Sequence, residues 1–307
     1  MPSEPMELGA PITALIGNTP LLRFQSLLPP DCQAAVYAKA EWFNPGGSIK
    51  DRAAWSIILQ GERDGELTPG KTILDATSGN TGIAYALIGA ARGYRVTMCL
   101  PANANEERKS LLRAYGAEVI LTDPGEGTDG AMLRARAMAT SDPDRYFYPD
   151  QYNNPANWQA HYRTTAPEIW RQTAGRITHF VAGLGTTGTF TGTGRRLREL
   201  NPAIELVAVQ PDSPLHGLEG IKHLPSSIVP GIYDPTLVTQ ERSVSTEEAR
   251  SMARRLAHTE GVLVGPSGGA NLAAAVQLAL ELRAGVVVTV LADGGARYLS
   301  DRFWQEE

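Results

Sequence analysis

In the stretch FNPGGSIKDRAAW, residues 43–55, two glycines and Ser48 read as a turn leading into a helix, and Asp51, three positions after Ser48, completes a capping pattern of the form [ST]-x-x-[DE]. Lys50 then falls in the first helical turn. A carboxylate would be favoured over an ammonium there by roughly 0.3–1 kcal/mol, because the first turn carries the positive end of the helix dipole. An amine held beside positive potential, or drawn out of water, gives up its proton more readily. A partly neutral amine is the form that condenses with a carbonyl cofactor. Taken alone, Lys50 reads as a solvated surface lysine, and its meaning depends on its company.

That company is three glycine-rich runs, TSGNTG at 77–82, GLGTTGT at 183–189 and GPSGGAN at 265–271. Each follows an expected strand and opens an expected helix, an arrangement that turns backbone N–H groups toward an anion. One such run is usually a capped turn, whereas three in one chain favour ligand binding. In the first, Thr77, Ser78, Asn80 and Thr81 exceed what a helix cap requires, and the surplus fits a nest for a carboxylate. The second contains G-x-G-x-x-G at Gly183, Gly185 and Gly188, so it fits a dinucleotide, with Asp212 as the ribose acid, as well as a phosphate monoester surrounded by threonine hydroxyls. The third contains G-x-S-x-G around Ser267. A hydrolase triad would place its histidine after that serine, yet the five histidines, at 161, 179, 216, 223 and 258, all precede it. Ser267 is left as a turn residue or a ligand hydrogen bond.

The elements that must position these runs follow from period and punctuation. Strands are expected at 21–24, 36–39, 73–76, 96–100, 118–121, 179–182, 206–210, 262–265 and 286–291. Helices are expected at 48–63, 83–92, 106–115, 130–139, 157–171, 190–200, 246–260 and 270–282. Alternation of this kind predicts α/β architecture with mostly parallel sheet. The 307-residue length suits two domains, and the polar, proline-rich segment 141–155 is the natural crossing point between them. Ligand binding is expected in the cleft between the domains, at loops following strands.

NPGGSIKDRAA, ATSGNTGIA, QYNNPANWQAHYRTTAPEIW, GLGTTGT and GPSGGAN together resemble the successive signatures of the cysteine synthase family of fold-type II pyridoxal phosphate enzymes. The resemblance runs from IGNTPLL at 16–22 to DGGARYLS at 293–300 and decides for a single phosphate over a dinucleotide. It implies a tryptophan synthase β-like fold of two α/β domains with twisted, mostly parallel sheets. The larger, phosphate-binding domain would comprise 1–41 and 150–307, and a smaller mobile domain 42–149 would carry the carboxylate loop. Lys50 would bind pyridoxal phosphate covalently and then act as base, and Asn80 would meet the ring 3-oxygen. Gly185, Thr186, Thr187, Gly188 and Thr189 would hold the phosphate, and Ser267 would face the pyridine nitrogen. Thr77, Ser78, Asn80, Thr81 and Gln151 would grip the substrate carboxylate, with Gly220 lining the amino-acid side.

The implied reaction is β-replacement through an aminoacrylate intermediate, giving L-cysteine from O-acetyl-L-serine and sulfide or thiosulfate. Within the family, GTTGT resembles the B form. In-family alternatives are an O-phosphoserine-using cysteine synthase and a cystathionine β-synthase-type enzyme; outside it stand an NAD-dependent oxidoreductase and a binding protein without turnover. Where well-known B enzymes read GIRRWP, this chain reads GIKHLP, so Lys222 and His223 are candidates to present positive charge to an anionic leaving group or sulfur donor.

Composition excludes other classes. The net charge of −5 leaves no basic stripe for nucleic acid or anionic lipid. No apolar run approaches a membrane span, and the start MPSEPMELGAP is too polar for a signal peptide, so a cytoplasmic protein is expected. Cys32 and Cys99 show neither zinc spacing nor a disulfide framework, so no metal is expected and Cys99 is placed in a strand. The resemblance further implies a homodimer and small-molecule substrates.

Overall fold

The computed structural model describes residues 9–77 and 79–304. Its strands are β1 (Leu21–Phe24), β2 (Ala34–Ala40), β3 (Thr72–Ala76), β4 (Arg95–Pro101), β5 (Glu118–Thr122), β6 (Tyr146–Phe147), β7 (His179–Gly183), β8 (Glu205–Pro211), β9 (Gln240–Val244) and β10 (Gly285–Leu291). The helices are α1 (Lys50–Arg63), α2 (Asn80–Arg92), α3 (Glu106–Ala114), α4 (Gly127–Ser141), α5 (Pro155–Arg163), α6 (Thr165–Gln172), α7 (Gly188–Leu200), α8 (Thr246–Glu260) and α9 (Pro266–Glu281).

The strands form two sheets. A six-stranded sheet runs β1-β2-β10-β7-β8-β9 and a four-stranded sheet runs β5-β4-β3-β6. Every pairing is parallel except that of β1 with β2. Parallel strands need both faces covered, and alternate residues of the larger sheet do face opposite cores. Val181, Val207, Val209, Val287 and Leu291 join one core with Leu256 of α8 and Leu272 and Val276 of α9. Phe180, Leu206, Ala208, Val288 and Val290 join the other with Ile169 of α6 and Phe190 and Leu197 of α7. The smaller sheet repeats the scheme: Ile73, Val96, Met98 and Leu100 pack on α1 and α2, and Leu74, Ala76 and Cys99 pack on Ala131 and Ala135 of α4. Fully burying one such Val, Ile, Leu or Phe contributes about 1.5–3 kcal/mol.

The α/β architecture and the mostly parallel pairing agree with the sequence reading, and four local expectations are corrected. Residues 262–265 form no strand; Val264 makes only an isolated bridge to Gly294, because the chain turns there into α9. The single helix expected over 157–171 is two, α5 and α6, meeting at Thr164, whose ψ of −64° with φ of −123° breaks the axis. The segment 141–155 is not all connector, since β6 within it completes the smaller sheet beside β3. Strand β9, QERSV, escaped the apolar-run criterion because its outward positions are charged or polar.

Candidate active site

A cleft of about 840 Å³ opens between the two sheets, lined by loops that leave the C-terminal ends of their strands. Lys50 is the first residue of α1. The turn before it is stitched to the end of β10: the Ile49 N–H donates to Ala292 O at 2.8 Å, and Ser48 forms a bridge with Asp293. The expected capping box is absent. Ser48 Oγ accepts the Lys50 N–H at 3.2 Å, and Asp51 turns back to accept the Gly46 N–H at 2.5 Å, closing the glycine turn instead of capping the helix. Lys50 therefore starts the helix on the cleft wall, half-buried. Burial lowers its pKa from the ordinary lysine value, and Asp293 opposes the shift in part. Here the amine is shifted in the direction that imine chemistry requires.

The run 77–82 joins β3 to α2. Thr77 Oγ1 accepts the Gly79 N–H at 3.2 Å, and Thr81 Oγ1 donates to Gln151 Oε1 at 2.8 Å. Thr77, Asn80, Thr81 and Gln151 all line the cleft, while Ser78 lies outside the described residues. Asn80 donates through Nδ2 to Asp293 Oδ2 at 2.6 Å, and its Oδ1 accepts from Arg297 at 2.5 Å. Asp293 is fully buried, takes a second hydrogen bond from Tyr298 OH at 2.6 Å, and leaves Oδ1 without a partner among the described residues.

The run 183–189 carries the chain from β7 into α7. Thr187 has φ of +68°, a left-handed conformation that few non-glycine residues adopt, and it is the turn through which the loop enters α7, whose first N–H groups have no acceptor within the helix. Gly185, Thr186, Thr187 and Thr189 line the cleft. Gly188 does not; it sits behind the loop, where an added Cβ would overlap Asn157 Oδ1. Likewise a Cβ on Gly185 would overlap the carbonyl oxygen of Gly220, itself at φ of +87°. Asn157 braces the loop from below, donating through Nδ2 to Gln151 O at 2.7 Å and to Thr186 Oγ1 at 3.1 Å. Thr189 Oγ1 lies 3.4 Å from His161 Nε2, and burial pushes that imidazole down to about 3, so it is neutral in the pH range of enzyme chemistry.

Ser267 is the second residue of α9, only 6% exposed, and also lines the cleft, with Gly220 opposite. Thr187 Oγ1 and Asn157 Oδ1 are buried with no hydrogen-bond partner among the described residues. A buried polar atom left unsatisfied costs about 1–3 kcal/mol. Thr187 belongs to the loop that lines the cleft, where a phosphate would sit, whereas Asn157 Oδ1 lies behind that loop against Gly188. An amine, an anion cradle, a neutral hydroxyl at Ser267 and the Asn80 amide thus share one cleft, and this set fits pyridoxal phosphate. Asp293, Tyr298, Arg297 and Asn157 were not expected from residue types. DGGARYLS and NNPANW contain them, but both segments look like ordinary turns in isolation.

Residues 12–293 match the model of the pyridoxal-phosphate dependent enzyme family. The chain belongs to that family, and within it to the cysteine synthases. It is 52% identical over 302 residues to a cysteine synthase of Aquifex aeolicus, covering 96% of this chain and 92% of that one. It is 45% identical to cysteine synthase B of Salmonella typhimurium, with 95% of each covered. The crystal structure of a cysteine synthase from Entamoeba histolytica superposes with a TM-score of 0.94 at 34% identity, covering all of this chain and 94% of that one. The dinucleotide reading of Gly183, Gly185 and Gly188 is set aside with this match.

Proposed function

We propose that the protein makes L-cysteine by β-replacement, exchanging the acetate of O-acetyl-L-serine for sulfide; with thiosulfate the same exchange gives S-sulfo-L-cysteine, the acetate leaving in both cases. Pyridoxal phosphate, when bound, supplies an electron-withdrawing group that acidifies the α-proton and lets the β-substituent leave. The residues that hold it are Lys50 by covalent attachment, Gly185, Thr186, Thr187, Gly188 and Thr189 at the phosphate, Asn80 at the ring 3-oxygen and Ser267 at the ring nitrogen. Lys50 Nζ, once released, takes the α-proton and later returns it. Thr77, Ser78, Asn80, Thr81 and Gln151 bind the substrate carboxylate and fix the α-carbon above the amine, with Gly220 along the amino-acid side. A neutral hydroxyl at Ser267 leaves the ring nitrogen less protonated than a carboxylate would, which suits elimination at the β-carbon.

The observation that carries this reading is the common cleft: a lysine of lowered pKa, a hydroxyl-rich nest and an unsatisfied phosphate loop face one another across it. Residues 42–149 are proposed to close as a smaller domain over 1–41 and 150–307, excluding water from the reacting β-carbon. The protein is further proposed to be a cytoplasmic homodimer of the B type. Exposed Phe43, Leu263 and Leu299 offer apolar surface for a second copy.

One feature supports a second reading in which the leaving group is phosphate. Lys222 lines the cleft with its Nζ 4.8 Å from the centre of the Tyr152 ring, a cation placed toward the substrate. His223 is not among the residues that line the cleft, and its Nδ1 is 2.7 Å from Ser226 Oγ. Steady-state assays with O-acetylserine and O-phosphoserine, each with sulfide and with thiosulfate, test both readings. Cysteine from O-acetylserine is expected. A cofactor-loaded protein that forms none contradicts the proposal, and a Lys222→Ala variant that loses only O-phosphoserine turnover establishes the second.

A further inference from the structure

The carboxylate nest at 77–82 is built from hydroxyls, an amide and backbone, none of them charged, yet an amino-acid carboxylate entering a partly dry cleft needs opposing charge to offset its lost hydration. The lysines and arginines among the described cleft-lining residues are Lys50, Arg108 and Lys222. Lys50 is committed to the reacting carbon, and Lys222 stands over Tyr152. Arg108, on α3, packs directly behind the nest: a Cβ built on Gly79 would lie 3.5 Å from its Nη1. Its side chain is 6% exposed, its guanidinium lies 5.2 Å from the centre of the Tyr298 ring, and it pairs with Glu219, the neighbour of Gly220. Glu219 is the exposed partner of this pair, its side chain 51% accessible to solvent.

The positions of the two charges carry a sign. Arg108 raises the potential at the nest, and Glu219, paired with it at the cleft, lowers it. We propose that Arg108 is the positioning cation of the substrate-carboxylate site, with Glu219 as a competing anion that moderates its pull. The inference rests on the proposed use of an amino-acid substrate and deepens it by assigning the charge that selects a carboxylate.

The test is equilibrium binding to the cofactor-loaded protein, followed by visible absorbance and by calorimetry, of L-alanine, which has the carboxylate but no leaving group, and of L-alaninamide, which has neither. Arg108→Gln is expected to weaken L-alanine binding about ten-fold or more, with Arg108→Lys in between. Glu219→Gln is expected to tighten it about three-fold. L-Alaninamide should bind all four proteins within about two-fold, because the effect acts on the carboxylate. A merely structural clasp would make both neutralising variants worse, and worse for both probes. Equal weakening by Arg108→Gln and Glu219→Gln, or equal effects on acid and amide, would overturn the proposal. Should Arg108→Gln melt below the assay temperature, Glu219→Gln alone decides by the direction of its change. Wild-type protein that binds neither probe and forms no cysteine overturns the proposed function as well; wild-type binding unaltered by the variants overturns this inference only.

Discussion

Helix α1 begins in two contrasting environments only two residues apart. Arg52 points into a closed ionic cluster in which each of its donors is used: Nε and Nη2 reach Glu41 at 2.8 and 2.9 Å, and Nη1 and Nη2 reach Glu168 at 2.7 and 2.8 Å. Lys39 completes it with 2.7 Å bonds to Glu168 and to Thr19 O. Two cations balance two carboxylates, all four residues at most 5% exposed. Burial pushes the Glu168 pKa up, but the hydrogen bonds and charge of Arg52 outweigh it and hold the group at about 2. At Lys50 the accounting is left open. Its amine is withdrawn from water with only the partial compensation of Asp293, and nearby Thr187 Oγ1, Asn157 Oδ1 and Asp293 Oδ1 lack partners among the described residues. The satisfied cluster fixes the helix, while Lys50 at its start and Thr187 across the cleft are left facing the space a ligand would fill.

This contrast can be broken from either side. Lys50→Ala should lower turnover at least 10³-fold, on the order of 4 kcal/mol of transition-state stabilisation, with little change in melting temperature. Arg52→Leu should do the reverse in kind: two buried carboxylates lose their common partner, and denaturant titration should report a loss of about 3–5 kcal/mol. A smaller effect separates ligand-directed from structural polarity at the phosphate loop. Thr187→Val removes a buried hydroxyl that has no partner among the described residues, so it should weaken cofactor binding about ten-fold, measured by equilibrium dialysis, while leaving the apoprotein no less stable. If the apoprotein loses stability instead, the hydroxyl serves the fold.

A prediction of comparable size concerns the smaller sheet. Burial pushes the Asp75 carboxyl from 3.8 up to about 8, beside Tyr85. A raised acid pKa means that the folded chain keeps a proton that the unfolded chain has released. The stability this contributes is complete below 3.8 and is lost as pH rises toward 8. Asp75→Asn should therefore flatten the pH–stability curve over that window and gain about 1–3 kcal/mol at its alkaline end, by urea denaturation at several pH values. Asp51, raised by burial to about 7, contributes its own fall in that window, so a variant whose curve falls as steeply as the wild type's would place the titrating group elsewhere.

The sequence made the chemistry at Lys50 and the three glycine runs legible because local composition carries it: surplus hydroxyls, glycines that let the loops pack closely, and a lysine where a carboxylate belongs. Strands such as GVVVTVL in β10 were legible for a similar reason, being buried on both faces. Long-range pairing was not. Asp293 meets Asn80 across 213 residues and Arg108 meets Glu219 across 111, and no local pattern announces either contact. The Ser48–Asp51 capping reading failed on the same ground. The sequence pattern was present, but the adjoining glycine turn and the end of β10 claimed its members first. Strand β9 was missed because an edge strand with charged outward positions has no apolar run to detect.

The central claim is that Lys50 Nζ is the atom joined to pyridoxal phosphate. Borohydride reduction of freshly purified, cofactor-loaded protein, followed by proteolysis and peptide mass spectrometry, tests it directly. The account predicts a single pyridoxyl adduct, on the peptide containing Lys50, and its disappearance in Lys50→Ala; an unmodified Lys50 with the adduct on another lysine would contradict it.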